Sequence, residues 1–377
     1  MGAMNRPVVL DARMIAHSGI GAHIRGLLEG WRETAPDFCP TLIGDPAELA
    51  QWLPAAAKYP VVPSRAPIYG LREQIAFPVR RTRGALLHCP HYNIALRHAG
   101  PLVVTIHDLI HLDKRFGPRL LVHRLYARWM LSAAARRTRH IFAVSQATAD
   151  DLVARLGVAR DKITVIYNAP SHAFVCSRQH SEAVEQFRRE KDLPADYLLT
   201  VGLYKPHKNL DVLFEAFRSL RESGKIPLSL VVAGTQKKER PALNSRLAQL
   251  EIRDQVRVLD WFPADQMPLL YAGASALVHP ALLEGFGLPV VEAQAVGTPV
   301  VASRASAVLE TAGEGALFFD PADAEDLARQ IVAVIGDNAL RDRLIAAGRR
   351  NVERFSWRES ARKVLEVYER VTRASCP

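Results

Sequence analysis

The sequence predicts an α/β protein of two Rossmann-like domains, each a parallel sheet wrapped by helices. Three observations lead there. The chain has 377 residues, too many for one ordinary core and suited to two domains of roughly 150–200 residues each. Short β-rich runs alternate with longer helical patterns, which is the rhythm of parallel βα units. That rhythm halts in a polar stretch at 177–192 and then starts again. The expected organisation is therefore an N-terminal domain at 4–178, a second domain at 179–356 and a terminal helix at 357–377.

In the first half the predicted strands are Pro7–Leu10, Leu86–Cys89, Leu102–Ile106, His140–Val144 and Ile163–Ile166. In the second they are Tyr197–Val201, Leu228–Ala233, Val256–Leu259, Ala276–Val278 and Pro299–Ala302. Each is short, β-branched and bounded by Gly, Pro or charge, which reads as buried strand rather than helix. Helices fall between them. Leu210, Leu213, Phe214, Phe217 and Leu220 share one face of a helix over 210–223 that ends near Gly224. Helices are also predicted at 323–335 and at 357–371, the latter with Ala361, Val364, Leu365 and Tyr368 on one face.

Composition narrows the function classes. A hydrophobic fraction of 49% with 23% charged residues is that of a folded globular chain, not a disordered or fibrous one. No apolar run approaches the roughly 18 residues needed to span a bilayer, and no secretory leader is visible. Met1-Gly2-Ala3-Met4 reads as a cloning remnant ahead of a native start at Met4. Cys39, Cys89, Cys176 and Cys376 are far apart with no C-x-x-C pair, which argues against a zinc site or a disulfide framework and for a reducing cytoplasm.

The net charge of +10 is unevenly placed. Residues 1–178 carry 23 Lys and Arg against 12 Asp and Glu, and the remainder is close to neutral. Arg80, Arg81 and Arg83 form one concentration, Arg136, Arg137 and Arg139 another, and Arg115, Arg119, Arg124 and Arg128 a third. Such asymmetry fits an anionic partner for the first half, namely a phosphate-bearing acceptor, an acidic membrane surface or a nucleic acid; a solubilising surface is the plainer alternative. No RNA-binding aromatic motif, helix-turn-helix or zinc pattern supports a nucleic acid.

Four segments carry chemistry. The strongest runs from His279 to Ser303. A strand gives way to Gly285-Phe286-Gly287, and a helix opens at Leu288-Pro289, with proline suited to a first turn. A helix starting directly after glycines presents unpaired N–H groups and the positive end of its dipole, a ready site for a diphosphate. Glu284 and Glu292 bracket the loop, and carboxylates suit the hydroxyls of a sugar and a ribose. The second segment, Gly202-Leu203-Tyr204-Lys205-Pro206-His207-Lys208-Asn209, leads from a strand into a helix and offers ammonium groups for phosphate oxygens. The third is Gly19-Ile20-Gly21, weak as a lone G-x-G. The fourth is His107-Asp108 at the end of a predicted strand, where ligands of open parallel sheets gather. His88, His91 and Tyr92 form another polar strand end. His111 and His123 read as ordinary surface or core histidines.

The Glu284-x7-Glu292 spacing, with Gly-Phe-Gly-Leu-Pro inside it and Gly297-Thr298-Pro299-Val300-Val301 after it, resembles the E-x7-E motif of retaining GT-B glycosyltransferases of family GT4. The similarity extends from residue 7 to about 370. It implies two Rossmann-like domains with sheets facing an interdomain cleft, and a C-terminal helix crossing back to the first domain. By the same resemblance Lys208, Glu284, His107 and Asp108 are catalytic. The donor is then held by Gly19, Gly21, Gly202, Lys205, Lys208, Glu284, Gly285, Phe286, Gly287, Leu288 and Glu292, with Trp261 and Phe262 at the nucleobase. Many relatives carry an arginine directly after the glycine where this chain has Leu203, so one phosphate contact is missing; Lys205 could replace it.

The resemblance implies a retaining hexosyltransferase with no cofactor and no metal; no D-x-D stands in a plausible loop to hold a divalent ion. The T-x-H-D-L and K-P-H-K-N forms resemble most the mannosyl- and rhamnosyl-transferring relatives that build surface polysaccharide. GDP-mannose is thus the first expected donor, with UDP-sugars next. The expected acceptor is a saccharide or a lipid-linked diphosphate, met in the cytoplasm or at the inner membrane face. Rival readings are a nucleotide-sugar epimerase of the same fold, which needs no acceptor, and a non-catalytic nucleotide-sugar-binding protein, against which the intact Glu284, Glu292 and Lys208 argue.

Overall fold

The computed structural model describes residues 6–53, 59–117, 120–176, 181–224, 228–259 and 265–373. The chain divides into two compact units. Unit 1 is Met1–Asn168 together with Ser356–Pro377, and unit 2 is Ala169–Phe355. The division therefore falls ten residues before the expected 178. The helix His172–Cys176 explains the difference, because it packs on helices of unit 2.

Unit 1 holds seven parallel strands: β1 (Val8–Asp11), β2 (Thr41–Gly44), β3 (Val61–Pro63), β4 (Leu86–Cys89), β5 (Leu102–Ile106), β6 (His140–Ala143) and β7 (Ile163–Val165). Their spatial order is β3-β2-β1-β4-β5-β6-β7. β2 and β3 escaped the sequence reading because Thr-Leu-Ile-Gly and Val-Val-Pro are too short to show a period. β3 ends on Pro63, tolerated because it lies at the sheet edge. The helix Trp357–Arg373 belongs to this unit and lies along the helix Ser18–Thr34. Small residues allow the approach: a Cβ on Gly26 would meet the Trp357 ring at 2.1 Å, and one on Gly30 the Trp357 carbonyl at 2.3 Å. Trp31 Nε1 donates to the Ala361 carbonyl at 3.0 Å, which fixes the register of the pair.

Unit 2 holds six parallel strands: β8 (Tyr197–Val201), β9 (Ser229–Ala233), β10 (Val256–Val258), β11 (Ala276–His279), β12 (Val300–Ser303) and β13 (Leu317–Phe319). Their order is β10-β9-β8-β11-β12-β13. Successive side chains enter opposite cores. Leu198, Leu230, Val232 and Val278 pack on one face, while Leu199, Val231, Ala233 and Leu277 pack on the other. Burial on both faces is why these strands read as unbroken apolar runs. β10 departs from that expectation: it is an edge strand and exposes Arg257. β13, the other edge, is only three residues long and shows no period in the sequence.

In both sheets the first strand lies between its successor and a later strand, so the strand order reverses there. β1 adjoins both β2 and β4, and β8 adjoins both β9 and β11. Loops leaving the carboxyl ends of such strand pairs diverge and open a crevice, the usual ligand site of this sheet type. Among the described residues no helix is long and apolar enough to cross a membrane.

Candidate active site

The site of unit 2 grows from the β8/β11 pair. After β8 the chain turns at Gly202, whose φ of +151° favours glycine and whose N–H donates to the Ala233 carbonyl at 2.8 Å. A single helical turn, Pro206–Lys208, follows. Asn209 then takes a left-handed conformation at the entrance of the helix Leu210–Glu222. Its side chain does not cap that helix; it donates to the Pro321 carbonyl at 2.8 Å, pinning the loop to the segment that follows Leu317–Phe319.

After β11 the chain runs through residues 280–287. The Leu282 N–H donates to the His207 carbonyl at 2.8 Å, stitching the two loops together. The result places Lys208 Nζ on Glu284 Oε1 in a close ion pair. His279 Nε2 stands 3.3 Å from the same oxygen. Burial pushes the Glu284 carboxyl up, but the Lys208 ammonium and His279 outweigh it and hold the group well below the usual carboxylate range. Glu284 is therefore an anion and accepts only.

The helix Leu288–Val296 begins immediately beyond. Gly287 caps it with φ +90°, a left-handed conformation suited to glycine. Pro289, at the second helical position, lacks an N–H where none has an intrahelical partner. Phe286 is not open to a ligand as a side chain. It is buried edge-on against Phe355, 5.4 Å between centroids, and its carbonyl accepts from Thr311 Oγ1 at 2.7 Å. Phe286 thus anchors the loop from below and leaves the backbone of Gly285–Leu288 as the part that can meet phosphate. Glu292, on the second turn, accepts from Tyr271 Oη at 2.7 Å, and burial pushes its carboxyl up to about 7. Lys205 is exposed at the start of the Pro206–Lys208 turn and stands outside the Lys208–Glu284 pair. Trp261 and Phe262 lie outside the described residues.

In unit 1, His107 and Asp108 follow β5. His107 Nε2 donates to the Pro90 carbonyl at 3.0 Å, and burial lowers its pKa against the pull of Asp108, so the ring is neutral with Nδ1 left as an acceptor. Asp108 Oδ1 accepts from the Ile110 N–H at 2.9 Å. Gly19 and Gly21 are not in a loop: the helix starts at Ser18, and both glycines fall in its first turn. Gly19 has open space around it, whereas a Cβ on Gly21 would meet the Ile15 carbonyl oxygen at 2.3 Å. One glycine leaves the helix tip approachable and the other is required by packing.

The polar strand end His88–Tyr92 separates into two roles. His88 is fully buried between Tyr368 Oη, 2.5 Å from Nδ1, and Thr105 Oγ1, 2.8 Å from Nε2, with its pKa pushed down to about 3 by burial. It is a core residue. His91 instead lines a small crevice at the β1/β4 reversal with Asp11, Arg13, Glu73 and Asn93. Arg13 donates to Asp11 at 2.6 Å and to Glu73 at 2.7 Å, and Asn93 Nδ2 donates to Glu73 at 2.8 Å. Among the described residues, Asn93 Oδ1 is buried with no partner. This cluster was invisible in the sequence because Glu73 arrives from a helix sixty residues beyond Arg13; the only available signal was Asp11 and Arg13 at the end of the first strand.

Two doubly wound units, with charged loops at their reversal points, define the two-domain GT-B architecture. Solved structures share it. Anabaena Alr3699/HepE, in complex with UDP and glucose, matches with a TM-score of 0.76 at 19% identity, covering 96% of this chain and 99% of that one. WaaG, a glycosyltransferase involved in lipopolysaccharide biosynthesis, matches with a TM-score of 0.74 at 16% identity over 96% and 99%. Two family models divide the chain between them: Glycosyltransferase Family 4 over residues 18–171 and Glycosyl transferases group 1 over residues 181–351. The chain belongs to the family-4 glycosyltransferases.

Among its relatives, O-antigen chain mannosyltransferase B of Escherichia coli is 25% identical over 78% of this chain and 76% of that protein. O-antigen chain mannosyltransferase RfbU of Salmonella typhimurium is 29% identical over 60% of each. An MMP alpha-(1->4)-mannosyltransferase of Mycolicibacterium hassiacum is 31% identical over 72% of this chain and 65% of that protein. The match spans only 34% of the Escherichia coli serotype-specific mannosyltransferase WbdA.

Proposed function

We propose that the chain is a retaining mannosyltransferase. It takes mannose from GDP-mannose without a metal ion and passes it to a saccharide or a lipid-linked oligosaccharide. The observation that carries this reading is Lys208 held on Glu284 beside the glycine-capped tip of the helix Leu288–Val296. When the glycosyl bond breaks, negative charge grows on the departing diphosphate. An ammonium, backbone N–H groups at the helix tip and a helix dipole, all fixed beforehand, stabilise that charge with little reorganisation.

In this reading Glu284 accepts from hydroxyls of the transferred sugar and Glu292 from those of the ribose. Lys205 reaches the phosphates from the solvent side. In unit 1, Gly19 leaves its helix tip open to an anion, and His107 Nδ1 offers an acceptor to a hydroxyl, with Asp108 beside it. No side chain is assigned as a nucleophile. The bond from the anomeric carbon to the diphosphate breaks, a bond to the acceptor oxygen forms on the same face, and the acceptor proton passes to a phosphate oxygen. The names of the curated relatives support mannose. HepE, solved with UDP-glucose, supports a nucleotide-sugar donor in general. The positive charge of the first half supports a phosphate-bearing acceptor.

Thermal-shift titration with GDP, UDP, dTDP, ADP and GDP-mannose tests the donor, since a ligand bound only by the native state raises stability by mass action. GDP and GDP-mannose should give the largest shifts, and turnover should survive EDTA. A larger shift with UDP would overturn the guanine assignment. Strong EDTA inhibition would overturn the metal-free one, and an inverted anomer in the product would overturn retention.

A further inference from the structure

Thr311 is fully buried, and no step of the proposed reaction uses its hydroxyl. It belongs to the helix Ser306–Ala312, which follows β12. Its Oγ1 stands 2.7 Å from the Phe286 carbonyl, with the Ala307 and Val308 carbonyls of its own helix at 2.9 and 3.4 Å. A hydroxyl has one hydrogen to give. The Ala307 carbonyl is the i−4 acceptor of the helical ladder, which leaves the shortest contact, Phe286, as the partner of that hydrogen. Two amide side chains fix where Thr311 sits. Gln294, on the helix Leu288–Val296, donates through Nε2 to the Ala312 carbonyl at 2.8 Å. Asn351 Nδ2 donates to the Thr311 carbonyl at 2.7 Å and to Gln294 Oε1 at 2.8 Å. These bonds serve the last carbonyls of one helix and tie it to the helix whose tip is the candidate phosphate site.

The bond to Phe286 decides which way a peptide faces. In a planar trans peptide the C=O and the N–H point in opposite directions. The Phe286 carbonyl is drawn down to Thr311, so the Gly287 N–H points away from Thr311 and out of the core. The backbone alone does not enforce this. A flip of that peptide would take the φ of Gly287 from +90° to about −90°, and glycine adopts both signs. The orientation matters because the start of the helix has few donors to give. Pro289 has no N–H, and the Val290 N–H donates to the Gly287 carbonyl at 2.9 Å. The first turn therefore meets an anion through the N–H groups of Gly287 and Leu288. With the peptide flipped, a carbonyl oxygen would stand where one of those donors is.

We propose that Thr311 is a positioning residue for the donor diphosphate, its hydroxyl holding the Phe286–Gly287 peptide with the N–H toward the phosphate. This rests on the reading of the helix tip as the diphosphate site. Calorimetric titration of the full chain with GDP and with UDP, alongside melting curves, tests it. T311V removes the hydroxyl at nearly constant volume and should bind the diphosphate that the parent binds roughly tenfold more weakly or worse. T311S keeps the hydroxyl and gives up a buried methyl. Its melting temperature should fall, yet its affinity should stay within about threefold of the parent. A merely structural role would make affinity follow the melting temperature instead of the hydroxyl. T311V with parental affinity, or T311S binding as weakly as T311V, would overturn the proposal. Crystals of the parent with the bound diphosphate carry the test should T311V not fold. The Gly287 N–H should donate to a phosphate oxygen with the Thr311–Phe286 bond intact, and a nucleotide at the tip with that peptide flipped would refute the proposal alone. A parent that binds neither GDP nor UDP would overturn the diphosphate reading, and the proposal with it.

Discussion

Replacing Lys208 by Met separates a phosphate-binding role from a merely structural one. The ammonium pairs with Glu284, with the two side chains 20% and 14% exposed. Removing it leaves a largely buried carboxylate beside His279. For fully buried pairs such a loss costs about 3–5 kcal/mol; the residual solvent exposure here reduces the expected loss of stability to about 1–3 kcal/mol. The loss in ligand binding is a different quantity. A hydrogen bond from a charged donor contributes about 1.5–3 kcal/mol, so the K208M variant should bind nucleoside diphosphate roughly 10- to 150-fold more weakly. E284Q acts in the opposite sense on binding. It releases the ammonium and removes a negative charge beside the phosphates, so nucleotide affinity should hold or rise. Turnover should still fall more than tenfold, because the acceptor for the sugar hydroxyls is lost. Calorimetric titration with GDP, paired with turnover on GDP-mannose, reads both. The reasoning fails if K208M retains parental nucleotide affinity, or if E284Q weakens nucleotide binding as much as K208M does.

Three further outcomes follow from the same geometry. The pH dependence of nucleotide binding should reflect Glu292. Burial pushes its carboxyl up to about 7, so the charged acceptor is lost as pH falls, and affinity should drop between pH 8 and pH 6. E292Q provides the baseline for the titration of the nucleotide itself, and Y271F, which removes a donor to the charged form, should move the midpoint upward; a profile identical in parent and E292Q would refute the assignment. Arg13→Met should destabilise unit 1 by about 3–5 kcal/mol at pH 8, because Asp11 and Glu73 are 9% and 2% exposed beside it. Burial already raises the Glu73 carboxyl, so its protonated form is favoured in the fold, and the penalty should shrink as pH is lowered toward 5 in a denaturant series. Gly26→Ala should lower the melting temperature by several degrees, since a Cβ there meets the Trp357 ring at 2.1 Å and overpacking costs about 1–3 kcal/mol; an unchanged melting curve would show that the helix Trp357–Arg373 yields freely.

The sequence by itself determined the class of fold and the glycine loop that opens the helix Leu288–Val296. β8, β9, β11 and β12 are buried on both faces, so their apolar runs announced them. Gly285, Gly287 and Pro289 have local reasons to be where they are, a left-handed cap and a first helical turn, and local reasons are legible in a one-dimensional string. Tertiary structure alone decided the partners. Glu284 was legible as a carboxylate before a helix. That it holds Lys208, 76 residues away, depends on β8 and β11 being neighbours and on the Leu282–His207 stitch. Phe286 reads as a binding residue in its motif, yet it serves as an anchor because Phe355 packs beneath it. His88 reads as a strand-end ligand, yet it is a core residue because Tyr368 arrives from a helix 280 residues later. The Asp11–Arg13–Glu73–Asn93 crevice has no sequence signature, since its members come from three separate segments. Periodicity, capping and turn chemistry act over a few residues and can be read along the chain. Ion pairing and burial of polar groups depend on which segments the sheet order brings together, and that order appears only once the chain has folded.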